Sequence, residues 1–334
     1  MDERDLARAL TRGWGLAGWT LEYAPVGAGS YHWTAAGPDP GERRFVTVDD
    51  LDDKGWLGHT RPAVLAGLRA AMDAAVTLRR QAGLGFALAP VPAFTGETVR
   101  PVGDRHAVAV FPFLGGSPGE WGETLPAPER AELIAMLARL HRADPAAVRL
   151  PRVELALPGR ADLETALAEL GRPWTGGPYS EQARSLLAGA AGPVRRHLDT
   201  LDRSVARMAA APVVITHGEP HPGNVIRLPA DSGSAGDAGP EAGRLALVDW
   251  DTVGLAPPER DLWSVATASG DEVRRYTELT GRPVDPAALE FYRLRWALDD
   301  LSCFLRDLRA PHRRTPGTED AWQNLQAILA DLTP

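Results

Sequence analysis

The hydrophobic pattern of the chain changes from strand spacing to helix spacing close to residue 113. Before that point, short segments alternate between apolar and polar residues, which is typical of half-buried strands. One apolar stripe at helical spacing interrupts them between Pro62 and Gly83. After residue 113, segments with apolar side chains three and four positions apart dominate. The strand-like segments are 19–27, 30–36, 43–49, 96–102 and 106–113.

This order predicts an α+β fold in which a small β-rich part precedes a larger, mostly helical part. The first part is expected to hold a five-stranded antiparallel sheet, a short opening helix over residues 2–13 and one main helix. At 334 residues the chain suits two domains. We predict them over 1–113 and 114–334, because the glycines of FLGGSPG at 113–119 suit a hinge. The low-complexity segment 230–243 is predicted to be a mobile loop tip.

Composition excludes several classes of function. The formal charge of −8 argues against broad nucleic-acid binding, and fits either plain solubility or a cationic small substrate. No apolar run approaches the length that crosses a bilayer, and the charged start MDERDLARAL has no signal-like core. The single cysteine, Cys303, cannot form an intramolecular disulfide. We therefore expect a cytoplasmic protein with neither a nucleic-acid nor a membrane partner, of open oligomeric state.

Two polar segments that directly follow apolar strand-like runs carry the strongest chemical signal. ITHGEPHPGN places Glu219 five residues before Asn224, and LVDWD ends its run in Asp249. Phosphoryl transfer needs a carboxylate at the attacking hydroxyl, and an amide and a carboxylate that hold the divalent metal on the phosphates. Mg²⁺ takes oxygen ligands and needs few from protein when phosphates supply the others. The inventory therefore matches a phosphotransferase.

These segments resemble those of the aminoglycoside phosphotransferase and choline kinase family. In that family the catalytic loop reads H-G-D-x-x-x-x-N and the metal-binding segment reads I-D-[WF]; here the matches are HGEPHPGN at 217–224 and VDWD at 248–251. The resemblance implies a bilobal protein-kinase-like fold with a small nucleotide-binding lobe and a helical lobe that holds the acceptor. It implies Glu219 as the catalytic base, Asn224 and Asp249 as metal ligands, and ATP and Mg²⁺ as cofactors.

The implied reaction is the transfer of the γ-phosphate of ATP to a hydroxyl of a small-molecule acceptor. Such an acceptor would be an aminoglycoside-like antibiotic, an amino alcohol or a sugar. One departure from the family pattern is Glu219, where the family usually has aspartate. The extra methylene moves the carboxylate by roughly 1.5 Å, and a misplacement of about 1 Å can reduce the rate on the order of 100-fold. The alternative interpretation is accordingly a weak or inactive pseudokinase that binds nucleotide or a small ligand.

The second departure is the lysine that the third strand of this fold normally offers to the phosphates. Thr47 stands at that position, and Lys54 is the only lysine in the chain. Two interpretations remain open: Lys54 folds back towards the phosphates with the neighbouring aspartates orienting it, or it is a solvated surface residue. The expected main helix offers Asp73 as its only central acid. The usual lysine–glutamate pair is therefore in question.

Further residues are assigned more specific roles. Gly27, Gly29 and Ser30 lie in a turn that either covers the nucleotide phosphates or is a plain hairpin. Asp299 and Asp300, on a late amphipathic segment, either bind an amine or hydroxyl of the acceptor or form a solvated helix face.

Three residues near the catalytic motifs are expected to have supporting roles. His217 is expected to brace its loop by hydrogen bonds and not to bind a metal, because Pro220 and Pro222 prevent a helix. Asp261 is expected to anchor the same loop. Asp251 is expected either to be an exposed second acid or to assist the metal.

Overall fold

Five antiparallel strands form the sheet that the sequence predicts. The computed structural model describes residues 2–27, 29–120, 122–229 and 245–333, so the predicted loop tip at 230–243 lies outside the described residues. The strands are β1 (Thr20–Tyr23), β2 (Tyr31–Ala36), β3 (Arg43–Asp50), β4 (Arg100–Val102) and β5 (His106–Pro112). Their order in the sheet is β1-β2-β3-β5-β4. The register sets His32 opposite Thr47, and Thr47 opposite Ala109.

Helix α1 (Glu3–Trp14) covers one face of this sheet. Asp2 caps its N-terminus through a hydrogen bond to Arg4 N, and Gly15 ends it in the left-handed conformation. Its buried residues pack against alternate residues of the strands, among them Trp33, Val46 and Val48. Because successive strand residues point to opposite faces, Phe45, Thr47 and Asp49 lie on the other face of β3. This second face is the one that contributes to the candidate site.

Helix α2 (Arg61–Arg80) is the main helix expected between Pro62 and Gly83, and it is confirmed. The Thr60 hydroxyl accepts a hydrogen bond from Ala63 N, and proline occupies the first turn, where its missing N–H has no consequence. Its buried stripe consists of Val64, Leu68, Ala71, Met72, Ala74, Ala75 and Leu78. The spacing of this stripe explains why the helix was predictable from sequence.

By its contacts the chain divides into two compact units. The first comprises Met1–Val153 and Val213–Val284, and the second comprises Glu154–Pro212 and Asp285–Pro334. The predicted lobe boundary at residue 113 stays a prediction. Besides the sheet, α1 and α2, the first unit contains α3 (Ala127–Leu140), β6 (Ser117–Pro118), β7 (Val214–Thr216), β8 (Val225–Arg227), β9 (Leu245–Leu247), β10 (Gly254–Ala256), α6 (Glu259–Leu262) and α7 (Asp271–Thr280).

The second unit is helical throughout its regular elements. They are α4 (Arg160–Ala168), α5 (Ser180–Ala209), α8 (Pro286–Arg309) and α9 (Pro316–Asp331). Helix α8 packs against the other three and buries leucines spaced three and four residues apart, from Leu294 to Leu308. The α+β class is confirmed. In the described ranges, every helix is too short or too polar to cross a membrane.

The packing of α1 gives a first prediction. Leu10 is 1% exposed against the sheet, so Leu10→Ala should lower the free energy of unfolding by about 2–5 kcal/mol. Arg8, exposed on the same helix, is the matched control. Its replacement by alanine should change the free energy of unfolding by less than about 0.5 kcal/mol. Urea titration followed by circular dichroism measures both. Equal effects of the two substitutions would contradict the packing described.

Candidate active site

The loop 217–224 connects β7 to β8 and carries most of the predicted catalytic motif. Strand β7 is fully buried and pairs with β10, so the loop starts from a fixed point. Gly218 follows with φ 105°, a conformation that side chains rarely adopt. A Cβ at this position would lie 2.3 Å from the guanidinium of Arg260. Glycine is therefore needed here both for the backbone angle and for the close approach of Arg260.

Asp261 holds the start of this loop. Its carboxylate accepts hydrogen bonds from His217 N at 2.8 Å and Gly218 N at 2.7 Å. His141 Nε2 lies 3.0 Å from the same carboxylate, and His141 Nδ1 lies 2.9 Å from the Tyr276 hydroxyl. Burial acts to raise the pKa of Asp261, but the hydrogen bond and charge of His141 outweigh it and lower the pKa. The predicted anchoring role of Asp261 is confirmed. Sequence reasoning missed His141 and Tyr276 as its partners.

His217 braces the loop, as predicted. Its Nδ1 accepts a hydrogen bond from Glu219 N at 3.3 Å, so its Nε2 carries the proton and donates to Val248 O at 2.8 Å. Burial lowers the pKa of His217 to about 4, which keeps the imidazole neutral near pH 7. The ring also meets the Trp250 ring edge-on, with centroids 4.7 Å apart. Both ring nitrogens are therefore engaged in structural contacts.

Asn224 ends the loop, and hydrogen bonds of its side-chain nitrogen fix the orientation of its amide. Its Nδ2 donates to Glu219 O at 3.0 Å and to His221 Nε2 at 3.2 Å. Burial, followed by the charge of His217, lowers the pKa of His221 to about 4, so that its ring is neutral and able to accept. Within the described part of the chain, Asn224 Oδ1 accepts no hydrogen bond. That oxygen is available as a ligand.

Asp249 lies beside Asn224, because β8 pairs with β9 and Val248 N donates to Asn224 O at 3.0 Å. With φ 62°, it is the single non-glycine residue of positive φ in the described ranges. Such a conformation costs on the order of 1–3 kcal/mol. No described residue donates a hydrogen bond to its carboxylate. Although Asp249 retains exposed surface, the protein around it displaces water and, with the charge of Asp251, raises its pKa.

Lys54 is buried, so the interpretation of it as a surface residue is wrong. It is 3% exposed, and its Nζ lies 2.6 Å from Asp251 Oδ2 and 3.0 Å from Asp49 Oδ1. Burial acts to lower the pKa of Lys54, but these two carboxylates raise it above its ordinary value. The prediction of an exposed Asp251 is also wrong. Asp251 is 5% exposed, because its carboxylate turns inward to pair with Lys54.

The turn between β1 and β2 is tied to the same group of charges. Gly27 and Gly29 have φ of 69° and 81°, which glycine adopts without strain. The Ser30 hydroxyl donates to Asp49 Oδ1 at 2.7 Å, so its proton is already committed to a carboxylate. Contact between this turn and a phosphate stays a prediction, and the backbone amides are its better donors.

The helix α2 supplies no carboxylate to Lys54. Asp73 instead accepts a hydrogen bond from the Thr98 hydroxyl at 2.7 Å. Thr47, at the position of the missing strand lysine, lies 3.3 Å from His32 Nδ1 through its hydroxyl. The partners of Lys54 therefore come from the end of β3 and from the segment after β9.

Asp299 and Asp300 belong to the second unit. Asp299 Oδ1 accepts a hydrogen bond from Gly159 N at 3.0 Å, at the start of α4. Asp300 is hydrogen-bonded by Trp296, and its pKa is raised to about 6, first by burial and then by the charge of Asp299. Their binding of an acceptor stays a prediction.

The candidate metal ligands are one amide and one carboxylate. No group of three or more His, Cys, Asp or Glu residues within the described ranges is arranged to hold a metal ion. This donor set fits Mg²⁺, which takes few protein ligands when phosphates and water complete its shell. It does not fit a zinc site, where several protein ligands surround the ion.

Gly218 gives a prediction on stability. Gly218→Ala should destabilise the protein more than Gly83→Ala, because both glycines have positive φ but a Cβ at Gly83 meets nothing within 4 Å. Gly83→Ala, the control, should lower the free energy of unfolding by about 1–2 kcal/mol through the backbone conformation alone. In Gly218→Ala the clash with Arg260 should add to this loss. Thermal and urea unfolding measure the difference. Similar losses in the two variants would show that the loop relaxes away from Arg260.

Asp300 gives a prediction on pH. Its raised pKa means that the folded state keeps a proton that the unfolded state releases as pH rises from about 4 to about 6. Asp300 therefore lowers the free energy of unfolding above about pH 6 and leaves it unchanged below about pH 4. Asp300→Asn should raise the free energy of unfolding on the order of 2–3 kcal/mol at pH 7.5 and leave it unchanged at pH 3.5. Asp307→Asn, at an exposed position on the same helix, is the control, and urea unfolding across pH measures both.

The chain is similar to several known proteins. Protein StrN of Streptomyces griseus is 28% identical over 329 residues, covering 93% of this chain and 86% of the relative. The crystal structure of a spectinomycin phosphotransferase in complex with ADP and spectinomycin superposes with a TM-score of 0.74 at 15% identity, covering 98% of this chain and 97% of that one. A microcompartment-associated aminopropanol kinase gives a TM-score of 0.64 at 16% identity, covering 99% and 96%.

The structural likeness confirms the predicted protein-kinase-like fold. The model of the phosphotransferase enzyme family matches residues 57–292, which include both catalytic motifs. With most of its length matched and the motif residues gathered at the ends of β7, β8 and β9, the chain belongs to the phosphotransferase enzyme family.

Proposed function

We propose that this protein is a Mg²⁺- and ATP-dependent phosphotransferase that acts on a hydroxyl of a small molecule. The observation that carries the proposal is the pairing of β8 with β9. It brings the backbone of Asn224 next to that of Val248, the residue before Asp249, and within the described residues neither Asn224 Oδ1 nor the Asp249 carboxylate accepts a hydrogen bond. Oxygen ligands left without protein donors in a partly enclosed site are suited to a hard cation.

Glu219 is the proposed base. Its backbone is fixed by hydrogen bonds to His217 and Asn224, and its carboxylate is 30% exposed. Its charge acts on Asp249, so the two carboxylates are neighbours. Glu219 would accept or orient the proton of the attacking hydroxyl. The dissociative character of phosphoryl transfer tolerates a longer base, since the base is not the main stabiliser of the transition state.

The remaining residues would position the reactants. Asn224 and Asp249 would hold Mg²⁺, and bound Mg·ATP supplies the phosphoryl group together with neutralisation of its charge. Lys54 would add a fixed positive charge beside them. The buried state of Lys54, paired with two carboxylates, favours this active interpretation over the pseudokinase, since a buried ion pair contributes little net stability by itself.

An amine-bearing acceptor is the substrate class that we propose. Spectinomycin and aminopropanol, after which the two structural relatives are named, are small molecules that carry an amine. The formal charge of −8 is compatible with a cationic substrate. Asp300 in the second unit offers a partly buried carboxylate for an ammonium group. Aminoglycosides, aminocyclitols and amino alcohols are therefore the acceptors to screen.

Calorimetric titration of ATP with and without Mg²⁺ tests the proposal. Wild type should bind ATP more tightly with the metal, and Asp249→Asn should reduce this gain by roughly tenfold or more, because the lost charge is a direct ligand. Asparagine tolerates the left-handed backbone, so the fold should survive. Asp39→Asn, at an exposed loop position, is the control and should bind as wild type does.

Turnover is measured next, as ADP release in the presence of each acceptor. Release that depends on Mg²⁺ and on one class of acceptor would support the proposal. Absence of binding to both ATP and GTP in wild type would overturn it. Nucleotide binding without turnover on any acceptor would favour the pseudokinase.

A further inference from the structure

Lys54 sits in a network that departs from the expected lysine–glutamate pair of this fold. We propose that Asp49 and Asp251 are positioning residues that hold Lys54 in the place of the lysine missing at Thr47. This inference rests on the proposed function, since the cation so held would act on the nucleotide phosphates. It selects Asp49 from the run of aspartates near Lys54, and it adds Asp251, which the sequence did not connect with this lysine.

The first argument is the return of the chain to the face of β3 that carries Thr47. Asp49 follows Thr47 by two residues and therefore lies on the same face. The connection after β3 is a tight turn, in which Asp50 Oδ1 accepts a hydrogen bond from Asp52 N at 3.1 Å. It brings Lys54 Nζ back to 3.0 Å from Asp49 Oδ1. Lys54, seven residues after Thr47, thus places its ammonium at the end of β3, the strand that has no lysine of its own.

The second argument is charge. An ammonium that is 3% exposed is expensive to bury unless carboxylates compensate it. Here two carboxyl groups do so, each no more than 5% exposed. Such a network contributes little net stability compared with apolar packing. Its placement next to Asp249, whose charge also acts on Lys54, supports a functional reason for it.

The third argument is the absence of a substitute cation from β2. His32 stands opposite Thr47 in the sheet and stacks on Phe45 with centroids 5.1 Å apart. Burial, followed by the charge of Lys54, lowers the pKa of His32 to about 4. The imidazole is therefore neutral near pH 7 and does not replace the missing lysine.

Asp49 also connects Lys54 to the turn between β1 and β2. One oxygen of its carboxylate, Oδ1, accepts from the Ser30 hydroxyl at 2.7 Å and from Lys54 Nζ at 3.0 Å. The turn and the ammonium therefore share one carboxylate. Loss of this carboxylate should disturb nucleotide binding through both of them.

Asp49→Asn and Asp50→Asn form a matched pair for the test. The two acids are adjacent on β3 and are 4% and 3% exposed, and each is paired with a cation. The cation paired with Asp50 is Arg105, with Nη2 at 2.6 Å from Oδ2, away from Lys54. The kinetic constants are measured with ATP as the varied substrate and an acceptor found in the screen. Asp49→Asn should lower kcat/KM for ATP by about tenfold or more. Asp50→Asn should leave it near the wild-type value at comparable loss of stability, because asparagine keeps the side-chain oxygen that accepts from Asp52 N.

A rescue variant separates positioning from folding. Lys54→Met should lower kcat/KM for ATP by roughly 100-fold or more. Adding Thr47→Lys in the same chain places an ammonium on the strand face that carries Asp49, and should restore at least about tenfold of the loss. Unfolding transitions recorded on every variant show which of them are folded. If Lys54→Met does not fold, Lys54→Arg and the Asp49/Asp50 pair still decide the inference.

The outcomes are distinguishable. Wild type that turns over ATP, together with equal kinetics of Asp49→Asn and Asp50→Asn, would overturn the positioning role and leave the proposed function intact. Failure of the wild type to bind or turn over ATP would overturn both. A selective loss in Asp49→Asn, with rescue of Lys54→Met by Thr47→Lys, would establish the inference.

Discussion

The carboxylate of Asp261 is the interaction on which the candidate site depends. It accepts hydrogen bonds from two consecutive backbone amides, those of His217 and Gly218, in a fully buried position. Buried amides without partners cost about 1–3 kcal/mol each, so the loop has little freedom to leave this geometry. His141 fixes Asp261 from the other side. The residues that follow in the loop, Glu219 and Asn224, therefore start from a defined position, which is what preorganised catalysis requires.

A second constraint is the balance of charge around Lys54. The charges of Asp49, Asp251 and Asp249 act on one ammonium, and the charge of Glu219 acts on Asp249. Burial, followed by the charge of Asp251, raises the pKa of Asp249, so a cation at its carboxylate would be favourable. The charge arrangement that supports metal binding and the arrangement that holds Lys54 are therefore parts of the same network.

The order of strands and helices followed from local patterns, as did Glu219, Asn224 and Asp249 as candidates. Each of these three residues stands in a short motif directly after an apolar strand, so that nearest neighbours in sequence carried the signal. The burial of Lys54 and Asp251 was not predictable in this way. They are 197 residues apart in the chain and meet only because the sheet and the segment after β9 come together. The contact between His141 and Tyr276, which are likewise distant in sequence, was not predicted for the same reason.

The sequence by itself determined the class of chemistry and the fold class, because hydrophobic periodicity and a motif of contiguous residues are local properties. It also determined that the third strand carries threonine, and no cation, at the position where the family usually has lysine. Only the tertiary structure decided that Lys54 is buried against Asp49 and Asp251, since Lys54 and Asp251 are far apart in the chain and meet only on folding. The same holds for the left-handed backbone of Asp249. That conformation persists because β9 and the buried Trp250 fix the residues on either side of it.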